Sequence, residues 1–294
     1  MAKKKKEKKN KPKKRIFLKI LLVLVGIIVI CVAYSFIKAQ LTPIATLSIN
    51  SGTAQVKSAF GEWKTATSGM ALKEGMSIKT LSGSKAIVVL RDSSVTRLDE
   101  NTEITLNNLN KTDVSIIQVA GQTWTRLLKF SGISDYEIET SDALATVRGT
   151  AFAVSIGNGT HIGVLEGRVH TATYRLENNI RKIISSIDVG ENNSVDVDPN
   201  NLEDLKAIAL LRTKWIDEND GADKIYIIEL RDRMIKRYSI QLNIVKSRYK
   251  WTDEQIRDYV VDYMKGKISI RQAITEGNVP DALLTLIPEE LKRY

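Results

Sequence analysis

Cysteine is nearly missing from this sequence: Cys31 is the only one in 294 residues. Disulfide stapling and thiol chemistry are therefore excluded from everything beyond it, and stability has to come from burying a core. Histidine is almost as scarce, with only His161 and His170. A metal pair needs further ligands close by, and the neighbouring acid, Glu166, falls in the turn between the strands that carry the two rings. Both read as surface or half-buried strand residues, and no G-x-S-x-G context supports a serine hydrolase. Excess positive charge is also missing outside one short stretch. Residues 1–19 hold eleven of the 44 Lys and Arg and one of the 34 Asp and Glu, which leaves 33 of each in residues 20–294. The formal net charge of +10 thus belongs to a tail, and a nucleic-acid footprint is not expected.

What the tail precedes is an eighteen-residue run without a charge, Ile20 to Ile37. At ~1.5 Å per residue such a helix is ~27 Å long, enough to cross the hydrocarbon of a bilayer. The run shows none of the polar stripe that a buried core helix carries. It is also longer than a signal-peptide h-region, so an uncleaved anchor is expected. Lysine-rich flanks stay on the cytoplasmic side, which predicts a single-pass membrane protein with residues 1–19 inside and everything after a linker at 38–45 outside the cytoplasm.

From Ile44 to about Asp198 short runs rich in Val, Ile and Thr recur every ~8–12 residues, separated by Gly, Asn and Asp. Examples are KAIVVL (85–90), SVTRL (94–98), VSIIQV (114–119) and TAFAVSI (150–156). This predicts an all-β domain over 46–198, a sandwich or solenoid-like. Within it, 150–174 reads as a three-stranded antiparallel meander. Gly157-Asn158-Gly159 supplies residues that accept positive φ at its first turn, and Gly167 makes the second. Gly149 precedes the first strand, where a bulge or close backbone approach is expected.

The order of signals resembles the FecR domain, an extracytoplasmic module. The residues that carry the likeness are GMSIKT (75–80), SKAIVVLRDSSVTRL (84–98), TEITL (102–106), the 121–124 segment GQTW, and ATVRGTAFAVSI with THIGVLEGRVHT (145–171). The resemblance covers about 46–198 and implies a β domain that binds without catalysis or cofactor. It does not bring the family's transcriptional role with it. Only 15 mostly basic residues precede Ile16, where the apolar residues begin, too few and too charged for the cytoplasmic anti-sigma domain of signalling members.

Beyond Pro199 the pattern turns helical and predicts an α-helical domain over 199–294. Asn201 and Asp204 look like a cap for a helix bearing Leu202, Leu205, Ile208, Leu211 and Trp215. After the acidic loop DENDGAD, a long helix over 224–249 carries Ile228, Ile235, Tyr238, Leu242, Val245 and Tyr249 at heptad-like spacing, a seam for packing or self-association. Thr252 and Gln255 form a capping box for a third helix ended by Gly266. Two short helices, 269–276 and 280–292, follow. Asp217, Asn219, Asp220 and Asp223 bring calcium to mind, but the EF-hand register fails: Gly221 falls at position 5 and Ile228 at position 12. No metal or cofactor is expected. Asn110, Asn158 and Asn192 head acceptor sequons that permit glycosylation without implying it. The chain reads as a non-catalytic scaffold or binding module for an envelope protein or glycan. Its alternative is a transmembrane sensor acting through a separate cytoplasmic partner.

Overall fold

A computed structural model describes residues 43–91, 93–178 and 180–267. The basic tail 1–19, the apolar run 20–37, most of the 38–45 linker and the two short helices at 269–276 and 280–292 lie outside the described residues. Within the described residues no helix is long and apolar enough to cross a membrane.

Among the described residues seventeen strands form two layers, and the expected β character of the centre of the chain holds. One layer runs, edge to edge, β4 (Met70–Leu72), β1 (Ala45–Ser51), β6 (Lys85–Leu90), β7 (Ser94–Leu98), β9 (Asp113–Arg126), β12 (Ala151–Ile156), β13 (Thr160–Glu166), β16 (Asn193–Val197) and β17 (Ala207–Ala209). The other runs β3 (Lys64–Thr65), β2 (Ala54–Lys57), β5 (Ser77–Thr80), β8 (Glu103–Leu109), β9 again, β10 (Asp135–Glu139), β11 (Ala143–Val147), β14 (Arg168–Glu177) and β15 (Ile180–Gly190). Val and Ile at alternate positions explain the arrangement: Ala86, Val88 and Leu90 of β6 face the same core as Ile104 and Leu106 of β8.

β9 is the strand the two layers share. Its first half pairs with β8 and, in parallel, with β10; its second half pairs with β7 and β12. The chain bends from one layer to the other at Gly121, whose φ is +80°. A Cβ there would sit 2.5 Å from the Thr102 Cα and 2.7 Å from the Asn101 carbonyl oxygen, so only glycine fits. Tyr136 pins the layers from inside. Its ring meets Phe152 edge-on at 6.2 Å, and its hydroxyl lies 2.7 Å from Thr96 Oγ1 across the core. Burial pushes that phenol up to about 12, with hydrogen bonds to Thr125 and Thr96 opposing the shift.

The expected meander is only half present. β12 and β13 form an antiparallel hairpin, but β14 pairs with β11 and β15 in the other layer. Gly167, at φ +90°, is therefore a corner between layers and not a turn within one sheet. The first turn also differs: neither Gly157 nor Gly159 is in the left-handed region, and Gly157 N–H donates to the Gly159 carbonyl at 2.9 Å. Gly149 does have positive φ, +66°, and a register irregularity follows it between Ala151 and Phe152.

The helix expected from Asn201 does not form. Residues 202–213 instead contain β17, which adds to β16 at the sheet edge. Ile208 and Leu211 recur at a spacing that serves a helix, yet both are exposed. Among the described residues three helices follow: α1 (Lys214–Arg237), α2 (Ser239–Tyr249) and α3 (Asp253–Met264). α1 starts ten residues before the expected position, capped by Thr213, which accepts from Ile216 N–H. The acidic segment is the first turns of this helix. A break at Tyr238 separates α1 from α2, so 224–249 is not one continuous helix. Ile228 of the proposed seam is exposed, whereas Ile227 and Leu230 pack with Leu242, Ile256, Val260 and Met264. The capping box of Thr252 and Gln255 and the stop at Gly266 are as expected.

Two glycine substitutions should move stability in opposite directions. Gly121→Val puts a β-branched residue at a positive φ with backbone against it, and should cost at least ~1–3 kcal/mol. Gly221→Ala, in a helix interior with open space beyond it, should stabilise by ~0.5–1 kcal/mol. Urea unfolding followed by circular dichroism measures both.

Candidate functional site

A polar cleft of about 570 Å³ opens where the β12–β13 hairpin meets the end of β16. Gln122, Ser155, Asn158, Thr160, His161, Asp196, Asp198 and Asn200 supply its polar side chains, and neither Lys nor Arg lines it. Strand register places the floor. His161 stands directly opposite Asp196, and its Nδ1 lies 2.6 Å from Asp196 Oδ1. Asp198 Oδ1 accepts from Asn200 N–H at 2.8 Å, which shapes the rim as an Asx turn. Gly159 allows the hairpin tip to close on β16, since a Cβ there would sit 2.1 Å from the Val197 carbonyl oxygen. Such a lining offers hydroxyls, amides and two carboxylates, a set suited to hydrogen-bonding a polyhydroxylated or amine-bearing ligand. Ser155 stands directly opposite His161 across the β12–β13 pair, but among the described residues no hydrogen bond joins its hydroxyl to the ring, as an activated nucleophile would need.

The two histidines are not brought together. His170 lies on β14 in the other layer, with its own partner in Asp188 at 2.8 Å. Glu166 faces neither ring and bonds to Arg126 instead. Among the described residues no group of three or more His, Cys, Asp or Glu side chains converges as a metal site. Asn158 is exposed at the cleft rim, and Asn110 and Asn192 are exposed in turns.

The acidic segment of α1 holds the largest departure from the sequence reading. Asp217 and Asp220 face Arg212, and Asp220 also meets Lys224 at 3.0 Å. Asp223 points the other way and is fully buried. Its carboxylate accepts from Trp124 Nε1 at 2.9 Å, from Arg126 Nε at 2.7 Å and from Arg97. Arg126, only 4% exposed, reaches onward to Glu166, and Lys265 beyond α3 approaches Glu166 at 3.8 Å. Trp215 packs edge-on against Trp124 at 6.1 Å, and Ile216 joins Ala151, Ala153 and Leu165 beside it. Burial alone would pull the Arg126 guanidinium down, but Asp223 and Glu166 outweigh it and raise its pKa. Likewise burial pushes Glu166 up, while Arg126 more than offsets this and holds it below the usual carboxylate range. A signal for this site exists in the sequence: Ile216, Asn219, Asp223, Ile227 and Leu230 recur on one helical face, so Asp223 stands in a buried stripe.

Breaking the cluster should be costly. Asp223→Ala leaves two buried or half-buried guanidinium groups and an indole N–H without their acceptor, and should destabilise by ~3–5 kcal/mol. Asp223→Asn should lose less, because the amide oxygen still accepts from Trp124. Glu166 gives the pH dependence. Its folded pKa lies below its unfolded value, so its contribution is full above the normal carboxylate range and fades as pH falls through the folded pKa. Glu166→Gln should therefore flatten the acid limb of a stability–pH curve, measured by urea midpoints.

Comparison with known proteins now adds to this geometry. No curated protein matches the chain. Two crystal structures, at 1.65 and 2.50 Å resolution, of a candidate anti-sigma factor from Parabacteroides distasonis ATCC 8503 are similar at 17% identity. Each alignment covers 46% of this chain and 59% of that one with a TM-score of 0.38, a likeness too distant to carry any argument. The family described as FecR protein matches residues 76–170, the stretch from β5 to the start of β14. That stretch contains the shared strand β9 and the β12–β13 hairpin of the cleft, and it is a FecR domain.

Proposed function

We propose that this chain is a membrane-tethered FecR-domain module, displayed outside the cytoplasm, that works by binding an envelope component and performs no chemistry of its own. The observation that carries the reading is the FecR domain over 76–170, which includes the whole hairpin of the cleft. The apolar run 20–37 and its lysine-rich flank supply the tether and its orientation. The cleft supplies the binding site, and its lining favours a glycan or another polar, uncharged or cationic ligand. The balanced charge of residues 20–294 speaks against nucleic acid. Between a passive scaffold and a sensor that passes binding on to a separate cytoplasmic partner, the FecR domain favours the sensor.

Two measurements test this. Protease added to spheroplasts should digest the chain beyond Lys38, and replacing six of the lysines in 3–14 with Gln should weaken or invert that orientation. Protection of the C-terminal residues in the unaltered protein would overturn the topology. For the site, envelope oligosaccharides should be retained by the immobilised protein and lost on combining Asp196→Lys with Asn200→Ala. Equal retention by both proteins would remove the cleft from the reading.

A further inference from the structure

The turn joining β2 to β3 carries an arrangement that neither the cleft nor the buried aspartate uses. Phe60, at its tip, is as exposed as a side chain can be, at 104% of its reference area. The turn is closed by Gly61 N–H donating to the Ser58 carbonyl at 2.9 Å. Three residues on, the Trp63 indole carries two ammonium groups over its ring, Lys57 Nζ at 4.6 Å and Lys79 Nζ at 4.5 Å from the centroid. Strand register brings the two lysines together, since Gln55 of β2 pairs with Lys79 of β5 and Lys57 lies two residues further along β2. Lys64 is exposed on β3. None of these three lysines is in an ion pair among the described residues; the acids beside them are Glu62 in the turn and Glu103 of β8, opposite Lys79 in the strand register.

We propose that this turn docks on the anionic headgroup surface of the membrane, with Phe60 entering the interface and Lys57, Lys64 and Lys79 facing acidic lipid. Charge complementarity selects that occupant: three lysines against two acids, Glu62 and Glu103, leave this patch basic in a chain that is balanced overall beyond residue 19. The aromatic pair points the same way. A fully exposed Phe and an indole with two lysine ammonium groups over its ring suit the boundary between acyl chains and headgroups, where aromatic and basic side chains concentrate. An acidic protein partner would account for the lysines but gives no reason for a lone Phe at the apex. The proposal rests on the tethered reading, which keeps a membrane within reach of the domain, and the test separates the two.

The full chain, with Cys31→Ala and Phe60→Cys, is labelled with an environment-sensitive fluorophore and reconstituted into phosphatidylcholine vesicles with or without phosphatidylglycerol. A second protein carries the label at Ser82→Cys, in another exposed turn. Docking predicts a blue shift and a rise in emission of about threefold at position 60 only, only with the anionic lipid, reduced at ~300 mM salt. Lys57→Glu, Lys64→Glu and Lys79→Glu together should abolish it with an unchanged circular dichroism spectrum. Equal signals in both lipids, or a signal that survives the three charge reversals, would overturn the proposal. So would a larger shift produced by a soluble acidic polysaccharide without vesicles. Retention after an alkaline wash reports the tether separately. A chain that washes off is mixed with vesicles from outside, where the same position-60 signal still decides the docking.

Discussion

A carboxylate removed from water has to be matched, and Asp223 is matched three times. Arg97 comes from β7, Trp124 and Arg126 from β9, so one side chain of α1 is bound to two adjacent strands. Buried ion pairs of this kind add little net stability over a well-packed apolar contact, because desolvation consumes much of the attraction. What they do supply is position. An apolar face can slide by a turn of helix at small cost, whereas a fully buried carboxylate has one place on this sheet where it is satisfied. The register of α1 on the sheet, the seating of Trp215 against Trp124 and the helical core that includes Leu128 all follow from that placement.

The same cluster explains why β12 is buried on both faces. Phe152 and Val154 point into the core between the layers, while Ala151 and Ala153 lie under Ile216, with Leu210 and Trp215 packed against the same group. Small residues on the outer face let a helix approach the strand closely. The cleft then sits at the far end of the strands that carry the lock: Gln122 lines it two residues before Trp124 on β9, and Ser155 two residues after Ala153 on β12. A ligand in the cleft and the helices on the sheet therefore bear on the same pair of strands.

Much of the β layer was legible in the sequence because alternation of apolar residues survives in strands with one wet face. KAIVVL and SVTRL match β6 and β7 residue for residue. The pairing was not legible. Nothing in 160–174 tells a hairpin from a corner, since Gly167 serves either, and the partner of β14 lies in β11, more than twenty residues upstream. Helical spacing misled where apolar residues are exposed, at Ile208 and Leu211. It was under-read where a charge interrupts a buried stripe, at Asp223. Gly221 and Asn219 made DENDGAD look like a loop, yet Asn219 is satisfied within the helix by the Trp215 carbonyl at 2.9 Å, and Gly221 costs only its propensity. The cleft drew on residues 122, 155–161 and 196–200, which no local pattern joins.

A strand common to both sheets removes a hinge. Because β9 belongs to each layer and Gly121 allows no other residue at the bend, the two layers cannot shear past one another without breaking a continuous backbone ladder. Mechanically the β layers behave as one block. Any movement large enough to be felt elsewhere must then be concentrated at the joint between that block and the helices, where the fastening is side-chain packing and the hydrogen bonds of Asp223, not a backbone ladder.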